Sequence, residues 1–235
     1  ANGPLLRAGL FHDRLLLVIH HLVVDGVSWR ILLEDLSALY NQFTQGLPFS
    51  LPQKTDSFQY WQQQLRRYDT TKEEAYWAEK AALPLPAFPL DHQDGSNFIK
   101  DTVSSSFVLD EQLTAALQHH CYKAYRTEIN DILLSSLALA IEETFRTPRV
   151  AIQLEGHGRE DIGMDVDVSR TVGWFTTLYP VVIDLGYKDK IEQLVSVKEQ
   201  LHRIPNKGIG YGVLRYLKGH TYNISPAVNF NYLGD

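Results

Sequence analysis

The run His20-His21-Leu22-Val23-Val24-Asp25-Gly26-Val27-Ser28-Trp29 places adjacent imidazoles, a carboxylate and a glycine in one short stretch. Histidine titrates near neutral pH, so such a stretch can move protons as a general acid or base. A second concentration lies at Glu155-Gly156-His157-Gly158-Arg159-Glu160, where glycines allow close backbone approach beside ionisable side chains. A His and a Glu facing each other make an acid/base pair, because partial burial raises a glutamate toward the range of the imidazole. The bland alternatives weigh on each residue. By type alone a strand-end His is more often hydrogen-bonded in a core than catalytic, and His20 is read that way. Neighbours on a strand point to opposite faces, which leaves His21 on the loop side with Gly26. Asp25 is read as structural, since a carboxylate beside a buried strand more often makes an ion pair, here with Arg170 or Arg159. Glu160 and His157 fit solvated loop positions equally well, and Trp174, Phe175 and Tyr179 fit core or tunnel-wall aromatics.

The elements that must position these groups follow from the patterning. Leu15-Leu16-Leu17-Val18-Ile19 has the apolar, β-branched look of a buried strand, expected over 14–20. A helix over 27–44 follows, with Ile31, Leu32, Leu36, Leu39 and Phe43 on one face, Gly26 allowing a tight turn and Ser28 able to cap. Helices are expected near 57–68 and 72–82. Pro84, Pro86, Pro89 and the polar run from Asp91 to Asn97 then break the pattern, and the division into two lobes, 1–95 and 96–235, is placed there. Beyond it a strand is expected over 103–109, a helix capped by Asp110 running to about Tyr125, and a buried helix starting at Asn130 or Asp131. Strands at 150–154, 177–184 and 226–232 and a helix over 188–203 complete the alternation, which indicates an α/β layered fold.

Composition bounds the function classes. A chain of 235 residues with 44% hydrophobic and 21% charged residues is globular and has no apolar run of bilayer length. With no basic, apolar leader at Ala1-Asn2-Gly3-Pro4, a cytoplasmic location is expected. A net charge of −6 with scattered Lys and Arg argues against nucleic acid as a partner. The single cysteine, Cys121, excludes an internal disulfide and reads as a small apolar residue. The histidines do not fall into metal-ligand spacing, so no metal is expected.

The residues from His20 to Gly26 match the H-H-x-x-x-D-G signature of the condensation-domain superfamily of nonribosomal peptide synthetases, whose fold resembles chloramphenicol acetyltransferase. Narrower motifs resemble epimerization domains in particular. They are Val27-Ser28-Trp29-Arg30, the sextet from Glu155 to Glu160, Arg170 to Thr176 through Tyr179-Pro180, Pro205 to Gly212, and Phe230-Asn231-Tyr232-Leu233-Gly234. The resemblance implies an α/β, chloramphenicol acetyltransferase-like two-lobe sandwich, incomplete at both ends because members of the family are longer.

For function it implies inversion, L to D, at the Cα of an aminoacyl or peptidyl thioester. The substrate would ride on the 4'-phosphopantetheine arm of a peptidyl carrier protein domain, with adenylation and condensation domains as neighbours, and no cofactor of the domain's own. Deprotonation beside a thioester carbonyl and reprotonation from the opposite face need proton-transfer groups on two sides of one carbon. By motif, His21 and Glu155 are those groups, from different lobes, with Glu155 the base toward L-configured substrate. Tyr232 is a third candidate, as proton donor or enolate stabiliser, and backbone N–H groups around Gly26 can meet the oxygen. His20, Asp25, Gly26 and Arg170 are expected to orient the site, and Trp29, His157, Trp174 and Asn231 to line the substrate tunnel. The competing expectations are a condensation domain using the same His21, a catalytically silent carrier-docking domain, and an acyltransferase taking coenzyme A thioesters.

Overall fold

The structure is a computed structural model and describes residues 3–92, 95, 98–121, 125–163, 165–186, 189–226 and 228–233. Parts of the expected polar break (Gln93, Asp94, Ser96, Asn97), residues 122–124 of the expected helix, and Gly234 of the last motif lie outside them. Two compact units are present, neither continuous in sequence. The first holds Ala1–Trp77, Glu155–Tyr179 and Pro205–Thr221; the second holds Ala78–Leu154, Pro180–Ile204 and Tyr222–Asp235. Position 95/96, the expected division, falls inside the second unit.

In the first unit, β1 (Leu6–Phe11) and β2 (Arg14–Ile19) form an antiparallel hairpin turning through His12, whose φ is 52°. The expected strand is present, but its burial is not: Leu15, Leu16 and Val18 are exposed, because β1 is the only strand paired with β2 among the described residues. After a single 3-10 turn at His21–Val23 comes α1 (Gly26–Thr44). Its apolar face is only partly covered. Ile31 is buried whereas Phe43 is 68% exposed. Two further helices follow, α2 (Phe58–Arg67), capped by Ser57, and α3 (Thr71–Ala82), which begins in this unit. Trp61 of α2 packs with Val168, Phe175 and Ile209, flanked by Leu65, Ile162 and Val166. That cluster explains why a segment after residue 154 joins the first unit. Its apolar residues find their cover on α2.

The second unit contains α4 (Glu111–His119), capped as expected by Asp110, whose side chain accepts from the Leu113 N–H at 2.8 Å. The strand expected over 103–109 does not form. Val103, Phe107 and Val108 are 92%, 87% and 95% exposed, and the alternation has no partner strand among the described residues. Helix α5 (Ile129–Phe145) starts before Asn130, because Glu128 and Asp131 bond reciprocally to each other's backbone N–H. Its residues Leu134, Ala138 and Ile141 are buried, as an all-round apolar helix requires. It packs with α6 (Lys190–His202), and Lys190 meets Glu143 at 3.2 Å.

A three-stranded sheet has the order β4-β3-β5, from β3 (Arg149–Gly156), β4 (Thr177–Asp184) and β5 (Val228–Phe230), with β5 parallel to β3. Strand β5 is shorter than the expected 226–232. Ala151, Val182 and Ile224 form a buried cluster against Ala81, Leu83 and Leu85. This is a mixed α/β fold, as the alternation of elements predicts. No helix among the described residues is long and apolar enough to cross a membrane.

Candidate active site

Sequence near the first motif explains its local shape. The His20 ring accepts at Nδ1 from the Leu22 N–H, 3.2 Å away, and so caps the turn that carries His21. His21 is not on the strand but on that turn. Its ring is exposed and meets Trp174 edge-on, with centroids 5.4 Å apart. Four residues on, Asp25 is the N-cap of α1, accepting from the Ser28 N–H at 2.7 Å. Ser28 is therefore not the cap. It lies fully buried in the first turn, where its hydroxyl donates to the Gly173 carbonyl at 2.9 Å and accepts from the Gly173 N–H at 3.0 Å. Gly26 opens the helix with no left-handed φ and open space where a Cβ would stand, so the turn itself does not demand glycine.

The second motif arrives at the end of β3. Arg159 reaches Asp25 with Nη2 at 3.1 and 3.2 Å from the two carboxylate oxygens. The same nitrogen donates to Ser28 Oγ at 3.2 Å, while Nη1 donates to the carbonyls of Val168 and Thr171 at 2.7 and 2.8 Å. Arg159 Nε is buried without a hydrogen-bond partner among the described residues, and the guanidinium carbon stands 3.9 Å from the Phe175 ring centroid. Of the alternatives left open for Asp25, Arg159 is the partner. Arg170 pairs instead with Asp35 and Glu34 of α1. The Phe175 N–H adds a further bond to Asp25 Oδ2 at 3.1 Å. Burial pushes the Asp25 carboxyl up, but the bonds from Ser28 and Phe175 and the Arg159 charge outweigh it and hold it below the ordinary value.

Gly158 permits this approach. Its φ is +70°, and an added Cβ would stand 1.6 Å from the Phe175 carbonyl oxygen. His157 is not a free loop residue: Nδ1 accepts from the Arg159 N–H at 3.0 Å and Nε2 lies 3.0 Å from Glu160 Oε1. Glu160 in turn has Lys207 Nζ 3.9 Å from its other oxygen. Tyr179 is buried beside it, and burial together with the Glu160 charge pushes its phenol up to about 12.

The expected proton-transfer residues are thus placed as follows. His21 and Glu155 both belong to the first unit, and both are exposed. Tyr232, half-buried just past β5, and Asn231 belong to the second. Trp29 is half-buried on α1, while Trp174 is 40% exposed against His21. What the reading of the residues missed is the hub made by Arg159 and the two hydrogen bonds between Ser28 and Gly173. The Asp-x-x-Ser spacing at 25–28 was the available signal for the cap.

Comparison with known proteins follows this geometry. A family profile described as Condensation domain matches residues 1–235. Surfactin synthase subunit 1 of Bacillus subtilis (strain 168) is 46% identical over 249 residues, which cover 99% of this chain and 7% of that protein. Bacitracin synthase 1 of Bacillus licheniformis is 44% identical over 245 residues, covering 100% of this chain and 5% of that protein. This chain therefore spans a small part of such relatives. Among solved structures, the epimerization domain from the third module of tyrocidine synthetase B is 44% identical with a TM-score of 0.88, over 98% of this chain and 55% of that one. The first condensation domain of the CDA synthetase shares the fold, with a TM-score of 0.63 at 16% identity over 93% of this chain and 48% of that one.

Proposed function

Because this chain belongs to the condensation-domain family, we propose that within it the chain acts as an epimerization domain. The reaction is inversion at the Cα of an aminoacyl or peptidyl thioester carried on the 4'-phosphopantetheine arm of a carrier protein. The observation that carries this reading is the 44% identity to a solved epimerization domain over 98% of the chain. His21 and Glu155 are the proton-transfer groups, Glu155 toward L-configured substrate and His21 toward the opposite face. Both side chains are exposed, so each is accessible to a substrate arm. Tyr232 is a third proton-transfer or enolate-stabilising candidate.

The local structure supports a division of labour. Trp174 restricts the ring of His21 edge-on, and His20 fixes the turn beneath it. Asp25 and Arg159 neutralise each other and hold the two motifs rather than taking part in proton transfer. Gly26 and Val27 open α1, and a helix N-terminus is the end that favours a developing enolate oxygen. Carrier, adenylation and condensation neighbours and a cytoplasmic location belong to the same proposal.

The test is Cα deuterium wash-in on a single loaded carrier. Wild-type protein should exchange the Cα proton and give mixed L and D residues, whereas His21→Ala and Glu155→Gln should show no exchange while staying folded. Retained exchange in either variant rejects that assignment. A second reading, peptide-bond formation, is favoured by the family profile itself. Under it a single loaded carrier gives no exchange, and a second loaded carrier is required for any product.

A further inference from the structure

The segment Pro205-Asn206-Lys207-Gly208-Ile209-Gly210-Tyr211-Gly212 holds the most strained backbone among the described residues. Asn206, Lys207 and Gly208 are successively left-handed, with φ of 41°, 48° and 79°. For a residue with a Cβ that region is disfavoured, and it persists only where the surroundings over-determine it. The surroundings here centre on Glu73, in the first turn of α3 and 2% exposed. Its carboxylate accepts from the Tyr68 hydroxyl, from Asn206 Nδ2 at 3.0 Å and from Trp77 Nε1 at 3.4 Å. Asn206 also donates to the Tyr68 oxygen at 2.5 Å. Burial and the Glu73 carboxylate push the Tyr68 phenol up, so it stays a donor. The helix α7 (Ile209–Gly212) then passes directly over the acid, since a Cβ on Gly210 would stand 1.9 Å from Glu73 Oε2.

The other side of the strained turn bears on the end of β3. A Cβ on Gly208 would fall 2.2 Å from the Tyr179 ring, so that ring lies against bare backbone. The position of a Cβ on Gly156 is 3.5 Å from the same ring and 3.6 Å from the Lys207 carbonyl oxygen. Gly156 is the residue after Glu155. A continuous chain of contacts thus runs from Glu73 through Asn206 and the left-handed turn to Tyr179 and Gly156, all within the first unit.

We propose that Glu73 is a positioning residue for Glu155, acting through the left-handed turn 206–208 that it clamps against the backbone of Gly156. A carboxylate serves because it only accepts, and the groups aimed at it are donors. Burying one without such bonds is costly, and an apolar residue in its place would pack well but could not hold the turn. The inference rests on the epimerase reading for its activity readout, and a second readout is independent of it.

The variants are Glu73→Gln, Asn206→Ala and Asn206→Gly, in the protein as its genome encodes it, with a loaded carrier. Glu73→Gln and Asn206→Ala should lower kcat for Cα exchange about tenfold to a hundredfold and leave KM for the carrier within about twofold. Glycine adopts the left-handed turn without strain, so Asn206→Gly should recover most of the rate lost in Asn206→Ala. Amide hydrogen exchange at Gly156–Gly158 should quicken in Asn206→Ala, with residues 150–154 unchanged. Wild-type kcat in both variants, or unchanged amide exchange at 156–158, overturns the proposal; so does a loss of rate that tracks only the folded fraction. If wild-type protein itself shows no Cα exchange, the epimerase reading fails, and the amide exchange alone decides on the clamp.

Discussion

Asp25 keeps its charge at a place where burial disfavours it, and the bonds that allow this predict its behaviour. Removing one partner of a buried pair leaves the other uncompensated, which costs about 3–5 kcal/mol. Asp25→Ala and Arg159→Met should each destabilise by about that much in urea titrations, with the double variant recovering part of the loss. Equal and additive losses would mean the pair is not coupled. The sign of the pH dependence follows from the lowered native value. Ionised Asp25 stabilises the fold above the ordinary carboxylate value of 3.8, and that contribution disappears as pH falls through the native value. Wild-type stability should thus drop more steeply than that of Asp25→Asn below about pH 4, as followed by circular dichroism. At this scale the sequence was readable in part. Residue type and position pointed to an ion pair for Asp25, which the structure contains. Which arginine pairs with Asp25 depends on a separation of 134 residues in the chain and could not be read from either motif alone.

Elements with local causes were legible, and those that depend on a distant partner were not. Helix α4 has its cap where Asp110 predicts it, and β4 spans Thr177–Asp184 as its apolar run predicts. Among the described residues, 103–109 carry a strand-like alternation without a partner strand, and β2 looks buried by composition yet is bonded on one edge only. The segment Pro205 to Gly212 was read only as a family motif, and neither its left-handed turn at 206–208 nor the contact with Glu73 is announced by the residue types. Glycines at these joints make the sharpest predictions. Gly158→Ala combines a left-handed φ with a collision against the Phe175 carbonyl and should cost more than about 2 kcal/mol. Gly26→Ala meets nothing within 4 Å and should change the melting temperature little. A reversed order of the two would remove the steric account of the second motif.

Over the whole molecule, apolar surface is unevenly covered. Leu10, Phe11, Val18, Tyr40 and Phe43 are each more than half exposed, grouped on the hairpin and α1. Patches of that kind mark association surfaces. The 235-residue polypeptide by itself should bind a hydrophobic dye and self-associate with rising concentration, as read by light scattering. Residues 99–109 are exposed and lack strand or helix beyond a single 3-10 turn, so chymotrypsin should cut first at Phe107. First cleavage within α5 would contradict that order. The α/β class was legible from alternation, whereas the two units interleave in a way that no local boundary signal announces. That interleaving, with Asp25 bonded to Arg159, Ser28 to Gly173 and Asp35 to Arg170, limits how such chains can be recombined. A chimera joined anywhere between residues 36 and 158 draws the two halves of this network from different parents. A breakpoint before residue 25 keeps these pairs together and should leave a hybrid chain folded, whereas one between 173 and 206 keeps them but parts Glu73 from Asn206 and Trp61 from Ile209.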